Sequence, residues 1–133
     1  MGDALILETT FLIDLEREAA RQAPGPAHAL LARHSQHRLY LTPTIAGELA
    51  AGSSMADRER WEGFLAPFHM LAFNRDVCWQ YGNACRYLQA NGLLIAANDL
   101  WIAAVGLAYR MPVVSRNAQH FRRVPGLEVV GYP

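Results

Sequence analysis

The sequence predicts an α/β protein built on a short parallel sheet of four to five strands flanked by helices. Three observations carry this. Short apolar runs of strand length recur along the 133 residues. Segments with the 3.6-residue apolar period of a covered helix separate them. The composition is apolar-rich, 52% hydrophobic against 18% charged, as expected when both faces of a sheet are covered.

Taken in order, residues 4–7 (ALIL) form an apolar run that ends at Glu8 and reads as a buried strand. Thr9 and Thr10 offer capping chemistry for a helix over residues 11–20. Pro24, Gly25 and Pro26 break the chain. A second helix covers residues 27–35, with Leu30, Leu31 and His34 on one face, and a second strand covers 39–41. Thr42–Pro43–Thr44 starts a helix, because proline is tolerated in the first turn; Ile45 to Ala51 follows and Gly52 ends it. Residues 55–66 read as another helix and 70–73 as a third strand. A long helix spans 75–91, with Val77, Tyr81, Ala84, Cys85 and Leu88 at helical spacing, closed by Asn91–Gly92. Asn98 is placed to cap a helix from Asp99 to Tyr109, which Met111–Pro112 terminates. Val113 and Val114 form a fourth strand leading into Ser115–Arg116–Asn117, and residues 127–130 a fifth.

The length fits one domain, residues 1–133, large enough to bury a core without disulfides or a structural metal. No apolar stretch approaches the ~20 residues needed to cross a bilayer. The N-terminus carries no basic segment followed by an apolar run and a cleavage site, so a cytoplasmic protein is expected. Cys78 and Cys85, seven residues apart in a helical segment, lie roughly 10 Å from each other. That exceeds the reach of a disulfide, and they read as ordinary buried thiols. All 12 basic residues are arginine, and the formal net charge is zero. Phosphate binding would therefore rest on a local cluster, such as Arg116, Arg122 and Arg123, whose planar forks donate paired hydrogen bonds. No G-x-G-x-x-G follows the first strand and no phosphate-loop motif is present, which argues against a nucleotide-binding fold.

In a parallel sheet, polar residues just beyond the strand C-termini face the ligand crevice. Four polar residues fall where such a site would be built: Glu8 follows the first strand, Glu48 lies on the helix after the second, Asp99 opens the helix after Asn98, and Asn117 follows the fourth strand, with Ser115 two residues before it. Each has an ordinary reading alone: Glu8 as a cap, Glu48 as a solvated surface residue, Asp99 as a favourable charge at a helix N-terminus. Together, in apolar contexts (ILETTFLID, TIAGELAAG, IAANDLWIAA, VVSRNAQHF) and without an opposite charge one turn away on the helices of Glu48 and Asp99, they suggest a carboxylate cluster. Such clusters hold Mg²⁺ or Mn²⁺, because hard cations prefer oxygen ligands, and support metal-assisted phosphoryl chemistry.

The order and context of these motifs, from Leu5 to Val130, resemble the PIN domain and, within it, the VapC toxins of toxin–antitoxin pairs. The most specific segments are N-D-x-x-I-A-A at 98–104 and S-R-N-x-x-H-F at 115–121. Glu48–Leu49 with Gly52, and Val124–Pro125–Gly126–Leu127, also match. The resemblance implies a PIN-like three-layer fold and a metal-dependent ribonuclease that hydrolyses RNA phosphodiester bonds. It also implies a VapB-like antitoxin that blocks the site, and a homodimer. Carried over by position, Glu8 and Asp99 are the main metal ligands. Glu48 completes the acidic pocket, directly or through water. Asn117 positions metal or water, Ser115 is a hydrogen-bonding neighbour, and Ser115 and Arg116 contact substrate. The cofactor is Mg²⁺ or Mn²⁺.

One departure stands at the first motif, where the family usually has Asp: Glu8 offers its carboxylate one methylene further out. An alternative reading follows, a catalytically weak or inactive member that acts by binding RNA or antitoxin. A flap-type DNA nuclease is disfavoured by the short chain. His120 is read as structural. Trp61, Trp79 and Trp101 are read as core or interface residues, and Asp14 as pairing with an arginine or capping a turn.

Overall fold

A computed structural model describes residues 4–133; residues 1–3 of the expected domain span lie outside the described residues. Five parallel strands form one sheet in the order β3-β2-β1-β4-β5: β1 (Ala4–Leu7), β2 (Arg38–Leu41), β3 (His69–Met70), β4 (Val113–Val114) and β5 (Val129–Val130). The helices are α1 (Thr9–Ala20), α2 (Pro26–Arg33), α3 (Pro43–Ala51), α4 (Arg58–Leu65), α5 (Arg75–Ala90), α6 (Ala97–Tyr109) and the single turn α7 (Ala118–Phe121); a 3₁₀ turn at Ser53–Met55 precedes α4.

The central strand is β1, and its Leu5, Ile6 and Leu7 are almost wholly buried. Burial of each such side chain contributes about 1.5–3 kcal/mol, which explains why a continuous apolar run sits at the sheet centre. The chain leaves β1 toward β2 and β3 on one side and later returns to β4 on the other. The crevice between β1 and β4 is therefore the switch point of the sheet, the place where α/β proteins bind ligands. Leu7 registers with Val114, and Glu8 N–H donates to Val114 O at 3.0 Å. Glu8 and Ser115, each one residue past a strand end, are thereby neighbours although 107 positions apart in the sequence.

Several boundaries differ from the sequence reading. α1 begins at Thr9, and Glu8 is its N-cap residue but makes no side-chain cap. The helix expected over 55–66 is divided: Asp57, whose carboxylate accepts Arg60 N–H, starts α4 after the 3₁₀ turn. The third strand is His69–Met70, because its pairing with Tyr40 and Leu41 ends there. Asn98 does not cap α6. The N-cap is Ala96, and Asn98 lies inside the first turn, its amide free to reach another element. Both cysteines are free on α5, but Cys78 is exposed and Cys85 half-buried, contrary to the expectation of two buried thiols. Trp79 projects into solvent, 63% exposed, with the Arg86 guanidinium over its ring.

A second buried acid had no sequence signal. Glu18, near the end of α1, accepts hydrogen bonds from Gly25 N–H (2.8 Å), Ala27 N–H (3.0 Å), His28 N–H (3.0 Å) and the His28 ring (2.7 Å). It thus caps the start of α2 from outside that helix, serving the amides that no local side chain satisfies. Burial opposes its ionisation, but these donors outweigh burial and hold the carboxyl at about 2. Gly25 permits the approach, since a Cβ there would stand 2.8 Å from Glu18 Oε2. No helix among the described residues is long and apolar enough to cross a membrane.

Candidate functional site: an acidic pocket at the sheet switch point

Glu8 is the floor of the site. It is 3% exposed and has no basic side chain in contact among the described residues. Its Oε1 accepts two short hydrogen bonds, from Thr10 Oγ1 and from Ser115 Oγ, both at 2.6 Å. Each hydroxyl is also an acceptor: Thr10 Oγ1 receives Arg116 N–H at 3.1 Å and Ser115 Oγ receives Asn117 N–H at 2.9 Å. With the lone pairs so engaged, both hydroxyl protons point at Glu8. Burial raises the Glu8 carboxyl above its ordinary value, against the lowering by Ser115 and Thr10, and the charge of Asp99 adds to the rise.

Glu48 reaches the site from α3. Thr42 sets that helix by accepting Ile45 N–H at 3.2 Å, with Pro43 in the first turn. One Glu48 oxygen takes the Thr9 hydroxyl from α1, and the other takes Asn98 Nδ2 from α6 at 3.1 Å. Asp99 sits in the first turn of α6, half-buried, where the helix dipole favours a negative charge. Its carboxyl is nonetheless raised, by burial first and then by the charge of Glu48, with His120 opposing. Glu48, Asp99 and Glu8 therefore form a chain of like charges, each felt by the next. Among the described residues, no three His, Cys, Asp or Glu side chains close into a ready metal cage.

Ser115 is fully buried, whereas Asn117 and Arg116 are exposed at the mouth. The Asn117 side chain makes no cap for α7, and its backbone holds Ser115. The Arg116 guanidinium pairs with Asp14 at 2.6 Å, so Asp14 takes the arginine partner expected of it rather than joining the acids. Asp14 also accepts the Tyr132 hydroxyl at 2.6 Å. Burial, followed by the hydrogen bond to Asp14 and its charge, drives the Tyr132 phenol far upward, so it remains a donor.

The sequence reading missed Thr9 and Thr10 as supports for Glu48 and Glu8, and Asn98 as a support for Glu48. The run T-T directly after the acidic strand end carries that signal, although its local chemistry is equally that of a helix cap. Beside the acids, a groove of about 430 Å³ runs between α1, α3 and the 3₁₀ turn, lined by Ile13, Arg17, Leu49, Met55 and Arg60, with Glu48 as the wall it shares with the pocket.

A family model for the PIN domain matches residues 5–127, nearly the whole chain. The chain belongs to the PIN domain family. The Ribonuclease VapC of Rickettsia bellii is 27% identical over 137 aligned positions, covering 97% of this chain and 96% of that protein. The VapC1 ribonuclease of Haemophilus influenzae is 33% identical over a shorter stretch, 41% of each chain. Among solved structures, VapBC2 from Rickettsia felis, bound to a DNA fragment from its promoter, superposes with a TM-score of 0.81 at 20% identity, covering 98% of this chain and 99% of that one. VapBC-1 from nontypeable Haemophilus influenzae gives 0.80 at 22% identity, covering 96% and 97%. This PIN-domain chain thus shares the VapC fold along its length, with Glu8, Glu48 and Asp99 gathered at the crevice of that fold.

Proposed function

We propose that this PIN-domain protein is a metal-dependent endoribonuclease that hydrolyses RNA phosphodiester bonds in the cytoplasm, as the toxin of a VapBC-type pair. The observation that carries this reading is Glu8: a buried carboxylate with no basic side chain in contact among the described residues, held by two hydroxyl donors beside two further acids. A carboxylate so placed is costly unless a cation completes the site.

The donor set suits Mg²⁺ or Mn²⁺. Every candidate ligand is an oxygen, and Mg²⁺ characteristically takes one or two carboxylates and keeps several waters, so no closed three-ligand cage is required. Glu8 and Asp99 would hold the ion, with Glu48 acting directly or through water. When bound, such an ion polarises a phosphoryl oxygen and lowers the pKa of water. Thr10 and Ser115 fix the Glu8 rotamer and favour its ionised form. Thr9 and Asn98 occupy one oxygen each of Glu48 and so fix its plane. Asn117 would place its amide at the mouth, toward water or the ion. Arg116, 46% exposed and held by Asp14 through one nitrogen, has further donors for an RNA phosphate.

The partner would be a VapB-like antitoxin whose segment fills the groove walled by Glu48. The relatives' structures of VapBC assemblies support that reading. A homodimer is proposed as well, and the exposed Trp79 and Tyr87 of α5 are apolar surface available to it.

Asp99→Asn tests the function. It keeps the shape of the side chain and removes its charge, and it should abolish Mg²⁺-dependent RNA cleavage while leaving the circular dichroism spectrum unchanged. Cleavage at the wild-type rate would overturn the assignment. The departure at Glu8 favours one second reading, a member that binds RNA or antitoxin without cleaving; there the wild-type chain would bind RNA and leave it intact with either metal.

A further inference from the structure

We propose that Tyr132 is a positioning residue of the acidic pocket, acting through Asp14 to clamp the 115–117 loop that delivers Ser115 to Glu8. Its catalytic consequence rests on the nuclease reading above; its structural consequence does not.

Arg116 is gripped at both ends by residues one turn apart on α1. Thr10 Oγ1 accepts its backbone N–H at 3.1 Å, and Asp14 Oδ1 takes its Nη1 at 2.6 Å. The other Asp14 oxygen, Oδ2, receives the Tyr132 hydroxyl at 2.6 Å. Both carboxylate oxygens are thus engaged, and the Asp14 side chain is 18% exposed. The Tyr132 ring is itself fixed. It stands edge-on to Phe11 at a centroid distance of 5.3 Å and 88°, and Phe11 is fully buried in the core.

The tail that carries Tyr132 is tied to the same loop. Val130 pairs with Val114, and Val130 O accepts Ser115 N–H at 3.1 Å. At Gly131 a Cβ would meet Ala118 Cβ at 3.1 Å, so the chain passes close over α7 before Tyr132 turns toward α1. The tail therefore bridges the loop and α1, and Asp14 is where they meet.

Loss of the Tyr132 hydroxyl leaves Asp14 Oδ2 without its donor and lets the carboxylate turn toward water. Arg116 then loses its fixed partner. On either side of Arg116, Ser115 donates its hydroxyl to Glu8 and Asn117 holds that hydroxyl through its backbone N–H. A shift of about 1 Å in a group supporting the reacting centre is enough to cost as much as 10²-fold in rate. Tyr132 touches neither substrate nor metal in this scheme. Its influence travels through Asp14, Arg116 and Ser115.

Tyr132→Phe deletes the hydroxyl and keeps the ring against Phe11. The test joins amide hydrogen exchange of the metal-free protein to steady-state cleavage of RNA with Mg²⁺. Exchange at Arg116 and Asn117 should accelerate about tenfold, with Ile6 and Leu7 unchanged as reporters of the sheet. The kcat should fall about tenfold and KM should move much less, because Arg116 keeps its charge and its donors while the support of Glu8 is loosened. Unchanged exchange at Arg116 and Asn117 would overturn the clamp, and faster exchange with wild-type kcat would overturn its positioning role. If the wild-type chain fails to cleave RNA while exchange still accelerates in the variant, the nuclease reading fails and the clamp stands.

Discussion

Ser115→Ala removes the most buried support of Glu8, and its cost follows from two contacts. Ser115 Oγ donates to Glu8 Oε1 at 2.6 Å and accepts Asn117 N–H at 2.9 Å. A hydrogen bond to an ionised group contributes about 1.5–3 kcal/mol, and a buried donor left unpaired costs about 1–3 kcal/mol. Asn117 is exposed, so water recovers most of the second term. The expected loss is about 2–3 kcal/mol, a large share of the roughly 5–15 kcal/mol available to a domain. The loss also depends on pH. Ser115 lowers a Glu8 carboxyl that burial has raised, so its removal raises it further. As pH falls and Glu8 takes up its proton, the difference should shrink to that of a neutral hydrogen bond, about 1 kcal/mol. Urea unfolding of both proteins in EDTA, from about pH 5 to about pH 8, reads both effects through the midpoint at constant m-value. A difference below about 0.5 kcal/mol at neutral pH, or one that does not vary with pH, would refute this account of Glu8.

Three further outcomes are expected. Glu8 and Asp99 are both raised above their ordinary values of 4.5 and 3.8, so in EDTA their contribution is fully present below those values and is lost as pH rises through the folded ones. Saturating Mg²⁺ should flatten or reverse that slope in Tm, and identical slopes with and without the ion would contradict the site. Glu8→Asp withdraws the carboxylate by one methylene from Thr10 and Ser115, both at 2.6 Å, and should lower kcat by up to about 10²-fold; a faster enzyme would show that the pocket is not fitted to Glu. Glu18→Ala removes the anchor of α2 and should cost about 2–4 kcal/mol by urea unfolding at neutral pH, with kcat per folded molecule unchanged. Because Glu18 is held at about 2, its stabilisation is present above the ordinary value of 4.5 and fades as pH falls toward 2.

The strands were legible where hydrophobicity alone decides them. The run ALIL ending in Glu8 located both the central strand and the first acid of the site, because a strand buried on both faces admits no polar residue until its end. The two valines of β4 placed Ser115 in the same way. What the sequence did not carry was register. Nothing local states that Leu7 pairs with Val114, and that pairing alone makes Ser115 a partner of Glu8. The hydroxyls and amides around the acids were hidden for a related reason. Thr9, Thr10 and Asn98 are capping residues by local chemistry, and only the packing of α1 and α6 against α3 turns them toward Glu48 and Glu8. Glu18 had no signal at all, because the amides it holds begin seven positions later, across a break in the chain. α7 leaves no mark in the sequence, because a single turn has too few residues to show a period.

The central claim is that Glu8 and Asp99 jointly hold a divalent cation. Calorimetric titration of Mn²⁺, and then Mg²⁺, into the wild-type chain and into Asp99→Asn tests it most directly. The account predicts saturable binding to the wild-type chain that is lost in the variant. Equal binding by both proteins, or none by the wild-type chain, would contradict it.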